Sequence, residues 1–275
     1  MKNKKNNAKK RGARLGQHFL TGTWAARKLT EAVDVQRDET VLEIGPGKGA
    51  LTKELLATGN RVVAVEKDEV LVGQLEDAFA HETTSGALTL VSQDIRNFDV
   101  ASSNLIAGTY VVAANIPYYI TGEIVRTFLT TQKQPRAMAL LVQKEVAERT
   151  VAKDGKESIL SLSVKAYGVP KVVAKVSRGN FSPPPSVDSA ILLIENISRA
   201  FFSDVDESAF FKVVRAGFSS KRKLLASNMS GKYGFTKPII LAAFAVCGIS
   251  EKARAEDVPL QKWKCLVQKL TVNSE

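Results

Sequence analysis

The segment Val112–Tyr119, with the sequence VAANIPYY, places an amide, a proline and two phenol rings at the end of an apolar run. Its small and β-branched residues predict a buried strand that ends at Asn115. The amide oxygen of Asn115 and the backbone carbonyl of Ile116 can accept hydrogen bonds from an aromatic amine, favouring the tetrahedral nitrogen that attack on a methyl group requires. We therefore predict catalytic roles for Asn115, Ile116, Pro117 and Tyr118, with the Tyr118 ring stacking on an extruded base.

A second motif, VLEIGPGKGALT, runs from a predicted strand through three alternating glycines into a predicted helix. Glycines such as Gly45 and Gly47 let a ligand approach the backbone closely, at the strand end where open α/β sheets bind ligands. The spacing differs from the G-x-G-x-x-G of dinucleotide-binding proteins. Glu43 would repel a pyrophosphate and would suit a ligand with an ammonium and a sulfonium group. The motif resembles the S-adenosylmethionine loop of class I methyltransferases, and a ligand-free tight turn is the alternative interpretation.

Acidic residues end the next two predicted strands. Glu66 ends RVVAVE, where a carboxylate can accept hydrogen bonds from both ribose hydroxyls of the cofactor. Asp94 follows ALTLVSQ and can accept a hydrogen bond from the adenine amino group. Because the carboxyl ends of parallel strands meet at one edge of a sheet, we expect both acids to line the same site as Asn115.

The elements that must position these residues alternate between strand and helix, which predicts a doubly wound parallel α/β sheet. KVVAKVS and SAILLIEN are joined by FSPPPSVD without room for a helix, so they predict an antiparallel hairpin at the sheet edge. From about Phe201 only helical patterns remain, which predicts a small C-terminal helical domain. The predicted domains are a basic flexible tail over 1–14, a methyltransferase domain over 15–199 and a helical RNA-contacting domain over 200–275.

The formal net charge of +11 is concentrated at the two ends of the chain. Residues 1–14 contain seven Lys or Arg and no acid, and the last 76 residues are also basic on balance. Clustered positive charge is typical of proteins that bind polyanions, although a solubilising tail is the alternative interpretation. We predict that Lys221, Arg222 and Lys223 contact RNA phosphates.

Other classes of protein are disfavoured by the sequence. No apolar run approaches the roughly 20 residues that span a bilayer, and the N-terminus lacks the apolar segment of a secretory signal. Cys247 and Cys265 are far apart and show no metal-ligand spacing. We therefore expect no metal site, no membrane association and a reducing, cytoplasmic location.

Several motifs occur together in the order found in one enzyme family: GQHFL, EIGPGKGALT, VEKD, QDI, NIPYYIT, LVQKEVAER and FSPPPSVDSA. Over about residues 11–195 the chain resembles the ribosomal RNA adenine N6,N6-dimethyltransferases, and within them the bacterial small-subunit (KsgA-type) branch. The resemblance implies dimethylation, with S-adenosyl-L-methionine, of the N6 amino groups of two adjacent adenosines. These lie in a hairpin near the 3′ end of small-subunit (16S) rRNA, so the implied partner is the pre-30S particle, and we expect a monomer.

The same resemblance implies which side chains contact the ligands. The implied cofactor contacts are His18, Leu20, Gly45, Glu66, Asp94 and Asn115. The family often has Asn where this chain has His18, and both side chains form hydrogen bonds. Phe181 corresponds to the second aromatic residue on which a base stacks.

Two other functions remain open from the sequence. One is methylation of large-subunit rRNA adenines, as in the macrolide-resistance enzymes, which share the cofactor fold and an asparagine-containing motif. The other is a non-catalytic RNA-binding assembly factor that retains the fold. FSPPPSVDS and the basic ends favour the small-subunit branch, whereas the intact glycine loop, Glu66, Asp94 and NIPY favour an enzyme.

Overall fold

The computed structural model describes residues 17–232 and 234–271. The predicted basic tail over residues 1–14 lies outside the described residues.

The described residues form two compact units. The first comprises the described residues up to Ala147 together with Val169–Ile197, and the second comprises Glu148–Gly168 together with the described residues from Ser198 onwards. The boundary after Ile197 lies close to the predicted one after residue 199. However, Glu148–Gly168, which we had assigned to the first domain, groups with the C-terminal helices.

The strands of the described residues are short. They are β1 (Phe19–Leu20), β2 (Thr40–Ile44), β3 (Arg61–Glu66), β4 (Leu88–Ser92), β5 (Tyr110–Asn115), β6 (Ala137–Gln143), β7 (Val169–Val176), β8 (Phe181–Ser182) and β9 (Ser189–Glu195). Seven of them form one sheet in the order β4-β3-β2-β5-β6-β9-β7, while β1 and β8 pair separately.

The large sheet is doubly wound. Strands β2 to β6 are parallel, whereas β9 runs antiparallel to its neighbours β6 and β7. The chain moves outward from β2 to β4 and then returns to β5 beside β2, so the strand order reverses between β2 and β5. Open α/β sheets bind their ligands at such a reversal. The predicted parallel sheet with an antiparallel edge pair is confirmed.

Helices connect these strands and make up the second unit. They are α1 (Thr23–Val33), α2 (Ala50–Leu56), α3 (Glu69–Ala78), α4 (Ala80–Ser85), α5 (Thr121–Thr130), α6 (Lys144–Val151), α7 (Ile159–Lys165), α8 (Glu207–Gly217), α9 (Leu225–Met229), α10 (Lys237–Cys247) and α11 (Leu260–Thr271). In α1 the buried face is formed by Ala25, Ala26, Leu29 and Val33, which follow the helical period. Trp24 lies off this face and is 48% exposed.

The second unit buries the large side chains of its helices, including Phe210, Phe244 and Trp263. A Cβ atom at Gly217 would lie 2.4 Å from the Trp263 ring, so the close packing of α8 on α11 requires glycine there.

Cys247 and Cys265 form a disulfide between α10 and α11. This bond corrects the sequence interpretation, because the cysteines no longer support a reducing compartment.

Within residues 17–232 and 234–271, no helix is long and apolar enough to cross a membrane. The same part of the chain contains no group of three or more His, Cys, Asp or Glu residues that could hold a metal ion.

Candidate active site at the carboxyl edge of the sheet

The glycine loop follows β2 at the point where the strand order reverses. The Gly45 amide donates a hydrogen bond to the Val65 carbonyl of β3 at 2.9 Å, which joins the loop to the neighbouring strand. Gly47 and Gly49 have φ angles of 59° and 80°, in the left-handed region that favours glycine. A Cβ atom at Gly47 would also lie 2.9 Å from the Phe19 ring. Gly47 is therefore required by its conformation and by the packing of Phe19, whereas the backbone at Gly45 is open, since a Cβ there would meet only the Asn115 carbonyl at 3.9 Å.

Glu66 ends β3 beside this loop and is almost completely buried. Its Oε2 atom accepts a hydrogen bond from the Gly47 amide at 3.1 Å. Its Oε1 atom accepts bonds from the amides of Lys67 and Asp68, at 2.8 and 3.0 Å. A carboxylate offers about four acceptor positions, so one remains for a ligand. To accept hydrogen bonds from both ribose hydroxyls, Glu66 must also bind a hydroxyl at the Oε2 position that the Gly47 amide now occupies.

Asp94 follows β4, as predicted, but its carboxylate is fully engaged. Oδ1 accepts bonds from the backbone amide and Nε of Arg96, both at 3.0 Å. Oδ2 accepts bonds from the other end of the Arg96 guanidinium at 2.7 Å and from Lys67 Nζ at 2.8 Å. The Arg96 guanidinium, and after it Lys67, holds the pKa of Asp94 well below its usual range. An adenine amino group can bind this carboxylate only if one of the two side chains moves.

Asn115 ends β5 with its side-chain amide fixed in one orientation. Its Nδ2 atom donates a hydrogen bond to the backbone carbonyl of His18 at 3.0 Å. Because the nitrogen is committed to that carbonyl, Oδ1 is the amide atom available to a substrate, as the predicted mechanism requires. The backbone carbonyl of Asn115 would lie 3.9 Å from a Cβ at Gly45, so the end of β5 and the glycine loop are neighbours.

Tyr118 is held at its hydroxyl and along its ring. The hydroxyl forms a hydrogen bond with Ser189 Oγ at 2.7 Å, and burial raises the pKa of Tyr118. Its ring stacks against the His18 ring, with centroids 5.9 Å apart and planes 29° from parallel. His18 in turn donates from Nδ1 to the Pro183 carbonyl at 2.8 Å. The ring is therefore a rigid platform before any base arrives.

The other aromatic residues at this edge differ from the prediction in exposure. Phe181 is only 4% exposed and pairs with Leu20 across the β1–β8 ribbon. Its role in base stacking stays a prediction, and it requires the ring to leave the core. Tyr119 is 68% exposed beside Tyr118, although the sequence analysis assigned it no role. The pair of tyrosines after Pro117 is the sequence feature that could have marked Tyr119 as a candidate site residue.

Glu43 is the buried acid of the glycine-loop motif. Burial, and after it the charge of Glu66, raises the pKa of Glu43 to about 8. Within the described residues, neither of its carboxyl oxygens has a hydrogen-bond partner, and the Thr52 hydroxyl also lacks one. With this pKa the side chain is mostly protonated at neutral pH, and a cationic ligand beside it would favour its ionised form.

The residues of this edge fit S-adenosylmethionine. The backbone is open at Gly45, Glu66 is aimed by three backbone amides, and the buried Glu43 can ionise beside a cationic ligand. The structure brings His18, Gly45, Gly47, Glu66 and Asn115 together as predicted neighbours. Asp94 is connected to them through Lys67, the residue that follows Glu66.

The predicted RNA contacts lie in the second unit. Lys221, Arg222 and Lys223 are all exposed in the turn between α8 and α9. Buried Asn228 fixes this turn, because its Nδ2 donates to the carbonyls of Gly217 and Ser220 at 2.6 and 2.9 Å. The sequence analysis missed Asn228, since a buried asparagine inside a short helix carries no distinctive pattern.

Comparison with known proteins identifies relatives along nearly the whole chain. The model of the family "Ribosomal RNA adenine dimethylase" matches residues 7–271. The chain is 41% identical over 255 residues to the "Ribosomal RNA small subunit methyltransferase A" of Dehalococcoides mccartyi (strain CBDB1), covering 92% of this chain and 86% of the relative.

Two solved structures have similar folds. A dimethyladenosine transferase from Plasmodium falciparum superposes with a TM-score of 0.78 at 23% identity, covering 93% of this chain and 98% of that one. The 23S rRNA methyltransferase ErmE superposes with a TM-score of 0.75 at 24% identity, covering 92% of this chain and 99% of that one. At these identities the likeness establishes the fold, which is that of the class I methyltransferases.

Proposed function

Because the chain belongs to the ribosomal RNA adenine dimethylase family, we propose that it dimethylates N6 of two adjacent adenosines in a hairpin near the 3′ end of small-subunit rRNA. Membership makes it an S-adenosylmethionine-dependent rRNA adenine dimethyltransferase. One observation supports the assignment to chemistry: the Asn115 side chain is anchored through Nδ2, which leaves Oδ1 as an acceptor, and its residue lies next to the glycine loop. A protein that only binds RNA has no need of that arrangement.

The chain's own residues prepare the amine for attack. In the first transfer, Oδ1 of Asn115 and the carbonyl of Ile116 accept hydrogen bonds from the two N6 hydrogens, which orients the nitrogen lone pair for attack. In the second transfer the one remaining N6 hydrogen is accepted by one of these two oxygens. Tyr118, held by Ser189 and His18, stacks on the extruded adenine. The bound cofactor supplies the methyl group from its sulfonium. Neither acceptor on N6 is a strong base, so the displaced proton passes to water.

The choice of the small-subunit branch follows the stronger similarity. The relative at 41% identity is named as a small-subunit enzyme, whereas the large-subunit enzyme ErmE shares the fold at 24% identity. We further propose that the protein acts as a monomer on the pre-30S particle in the cytoplasm, where that particle forms. This location rests on the proposed substrate, because the two cysteines are bonded to each other.

The proposed reaction is tested on undermethylated small-subunit particles. With S-adenosylmethionine and the protein, we expect two neighbouring adenosines near the 3′ end of the rRNA to gain two methyl groups each, as counted by mass spectrometry of rRNA fragments. Large-subunit particles serve as the control substrate. Methylation found only on large-subunit RNA would establish the alternative specificity, and methylation of neither would refute the proposal.

We propose that Lys221, Arg222 and Lys223 contact RNA phosphates. Changing all three to Gln should weaken RNA binding and lower the slope of log K against log salt by about 0.7 to 0.9 per lost contact. Cofactor affinity should not change. Changing Arg37, Lys53 and Arg61 to Gln removes the same charge from exposed positions of the first unit and serves as the control. Equal slopes in the two triple variants would show that the charge at 221–223 only aids solubility.

A comparable experiment tests the tail. Deletion of residues 1–14 should also flatten the salt dependence of RNA binding, because the segment carries seven cations and no acid. An unchanged slope would remove the tail from the proposed RNA-binding surface.

A further inference from the structure

The carboxylate of Asp94 already accepts four hydrogen bonds within the protein. Its four acceptor positions are filled by the Arg96 amide, two nitrogens of the Arg96 guanidinium and Lys67 Nζ. One of these donors belongs to the backbone and is fixed. The other three belong to two flexible side chains, so the adenine amino group must displace one of them.

The displaceable side chains face solvent, whereas the acid does not. The side chains of Lys67 and Arg96 are 60% and 42% exposed, while that of Asp94 is 15% exposed. Ion pairs with exposed cations contribute little to stability, so an exchange of partners here costs little. The cations can therefore turn outward while the carboxylate remains in place.

The surroundings of Arg96 connect it to the catalytic segment. Arg96 follows β4 and Tyr119 follows β5, so both lie at the carboxyl edge of the same sheet. Tyr119 is the exposed neighbour of the base-stacking Tyr118. Arg96 thus pairs with the acid that would bind the cofactor's adenine, at the edge that would also bind the target nucleotide.

We propose that Lys67 and Arg96 form a phosphate-binding site for the RNA substrate, and that its occupation releases Asp94 to the adenine of the cofactor. This inference rests on the proposed function, because it requires RNA and S-adenosylmethionine at the same edge of the sheet. A phosphate is a natural alternative partner for both side chains, since guanidinium and ammonium groups pair with it as readily as with a carboxylate. RNA and cofactor then bind with positive coupling, and each strengthens the other by the same factor.

The test measures the affinity for S-adenosylmethionine by calorimetry, with and without a synthetic RNA hairpin of the small-subunit 3′ end. In the wild-type protein we expect the hairpin to tighten cofactor binding by about 5-fold or more. In the double variant Lys67→Met and Arg96→Met, cofactor binding without RNA should be at least as tight as in the wild type. The hairpin should add less than about 2-fold, and the salt slope of hairpin binding should fall by about 1 to 2.

A matched control is Lys28→Met, which removes an exposed lysine from the pair it forms with Glu31 at 2.7 Å on α1. It should retain the coupling and the salt slope of the wild type. Weaker cofactor binding by the double variant without RNA would overturn the inference, because Lys67 and Arg96 would then simply hold Asp94 in its binding position. Unchanged coupling in the double variant would overturn it equally.

One further variant separates this inference from the proposed function. If Asp94→Ala methylates rRNA and binds the cofactor as the wild type does, the inference fails while the function stands. If the wild-type protein neither binds S-adenosylmethionine nor methylates rRNA, the proposed function fails and the inference fails with it.

Discussion

Asn115→Ala should reduce the single-turnover rate of methyl transfer by about 100-fold or more, which corresponds to the loss of about 3 kcal/mol of transition-state stabilisation. The reason is geometric. The Asn115 nitrogen is bonded to the His18 carbonyl at 3.0 Å, so its oxygen has a fixed direction. That oxygen is needed most when the N6 nitrogen becomes tetrahedral, so RNA affinity should change far less than the rate.

Asn115→Asp is the informative companion variant. It keeps an acceptor of the same size but cannot donate to the His18 carbonyl, so the side chain loses its anchor. We therefore expect it to be slow as well. The measurements are single-turnover assays on small-subunit particles with mass spectrometry, after cofactor affinity has been determined for each variant. Near-native dimethylation by Asn115→Ala would exclude the proposed mechanism.

Variants of Tyr118 test the contribution of base stacking to substrate binding. Tyr118→Ala should lower both RNA affinity and rate, since a base-stacking contact contributes about 1–3 kcal/mol. Tyr118→Phe keeps the ring and loses only the hydrogen bond to Ser189.

Phe181→Ala is a poor test of stacking. The Phe181 ring is part of the hydrophobic core, so its truncation leaves a cavity and lowers stability whatever the role of the ring.

Glu43→Gln should stabilise the protein in a strongly pH-dependent way. In the folded state the pKa of Glu43 is raised by burial to about 8, from an ordinary value of 4.5. The contribution of the protonated side chain to stability is therefore complete below pH 4.5 and is lost as the pH rises through about 8. Glutamine does not titrate, so the variant should gain on the order of several kcal/mol over the wild type at pH 9 and little at pH 5.

Urea denaturation from pH 5 to pH 9 measures this difference as the free energy of unfolding. Glu54→Gln on neighbouring α2 removes an acid that pairs with Arg27 at 3.6 Å, and it is the control for loss of a charge. Parallel curves for the wild type and Glu43→Gln over the whole range would show that Glu43 is ionised in the folded protein.

The sequence predicted most of this edge because strand ends are local features. The glycine loop, Glu66, Asp94 and Asn115 each end a recognisable strand, and parallel strands bring their ends to one edge. What surrounds these residues was not predictable in the same way. Saturation of the Asp94 carboxylate depends on the rotamer of Arg96, two positions along the chain, and no periodicity specifies a rotamer.

Other differences arise from contacts between distant segments. Phe181 is buried because β8 pairs with β1, and that pairing joins residues more than 160 positions apart. The bond between Cys247 and Cys265 depends on how α10 and α11 pack.

The β1–β8 ribbon also has a consequence for the order of events during translation. A ribosome produces residues 17–20 early, but their partners Phe181 and Ser182 emerge only after the whole parallel sheet has been synthesised. Until then the His18 carbonyl that anchors Asn115 has no fixed place, and Pro183 is absent to hold the His18 ring. A nascent chain can thus assemble its glycine loop long before it can orient its amide. The orientation of the Asn115 amide is therefore acquired late in the synthesis of this unit, once the two-residue strand β8 has emerged.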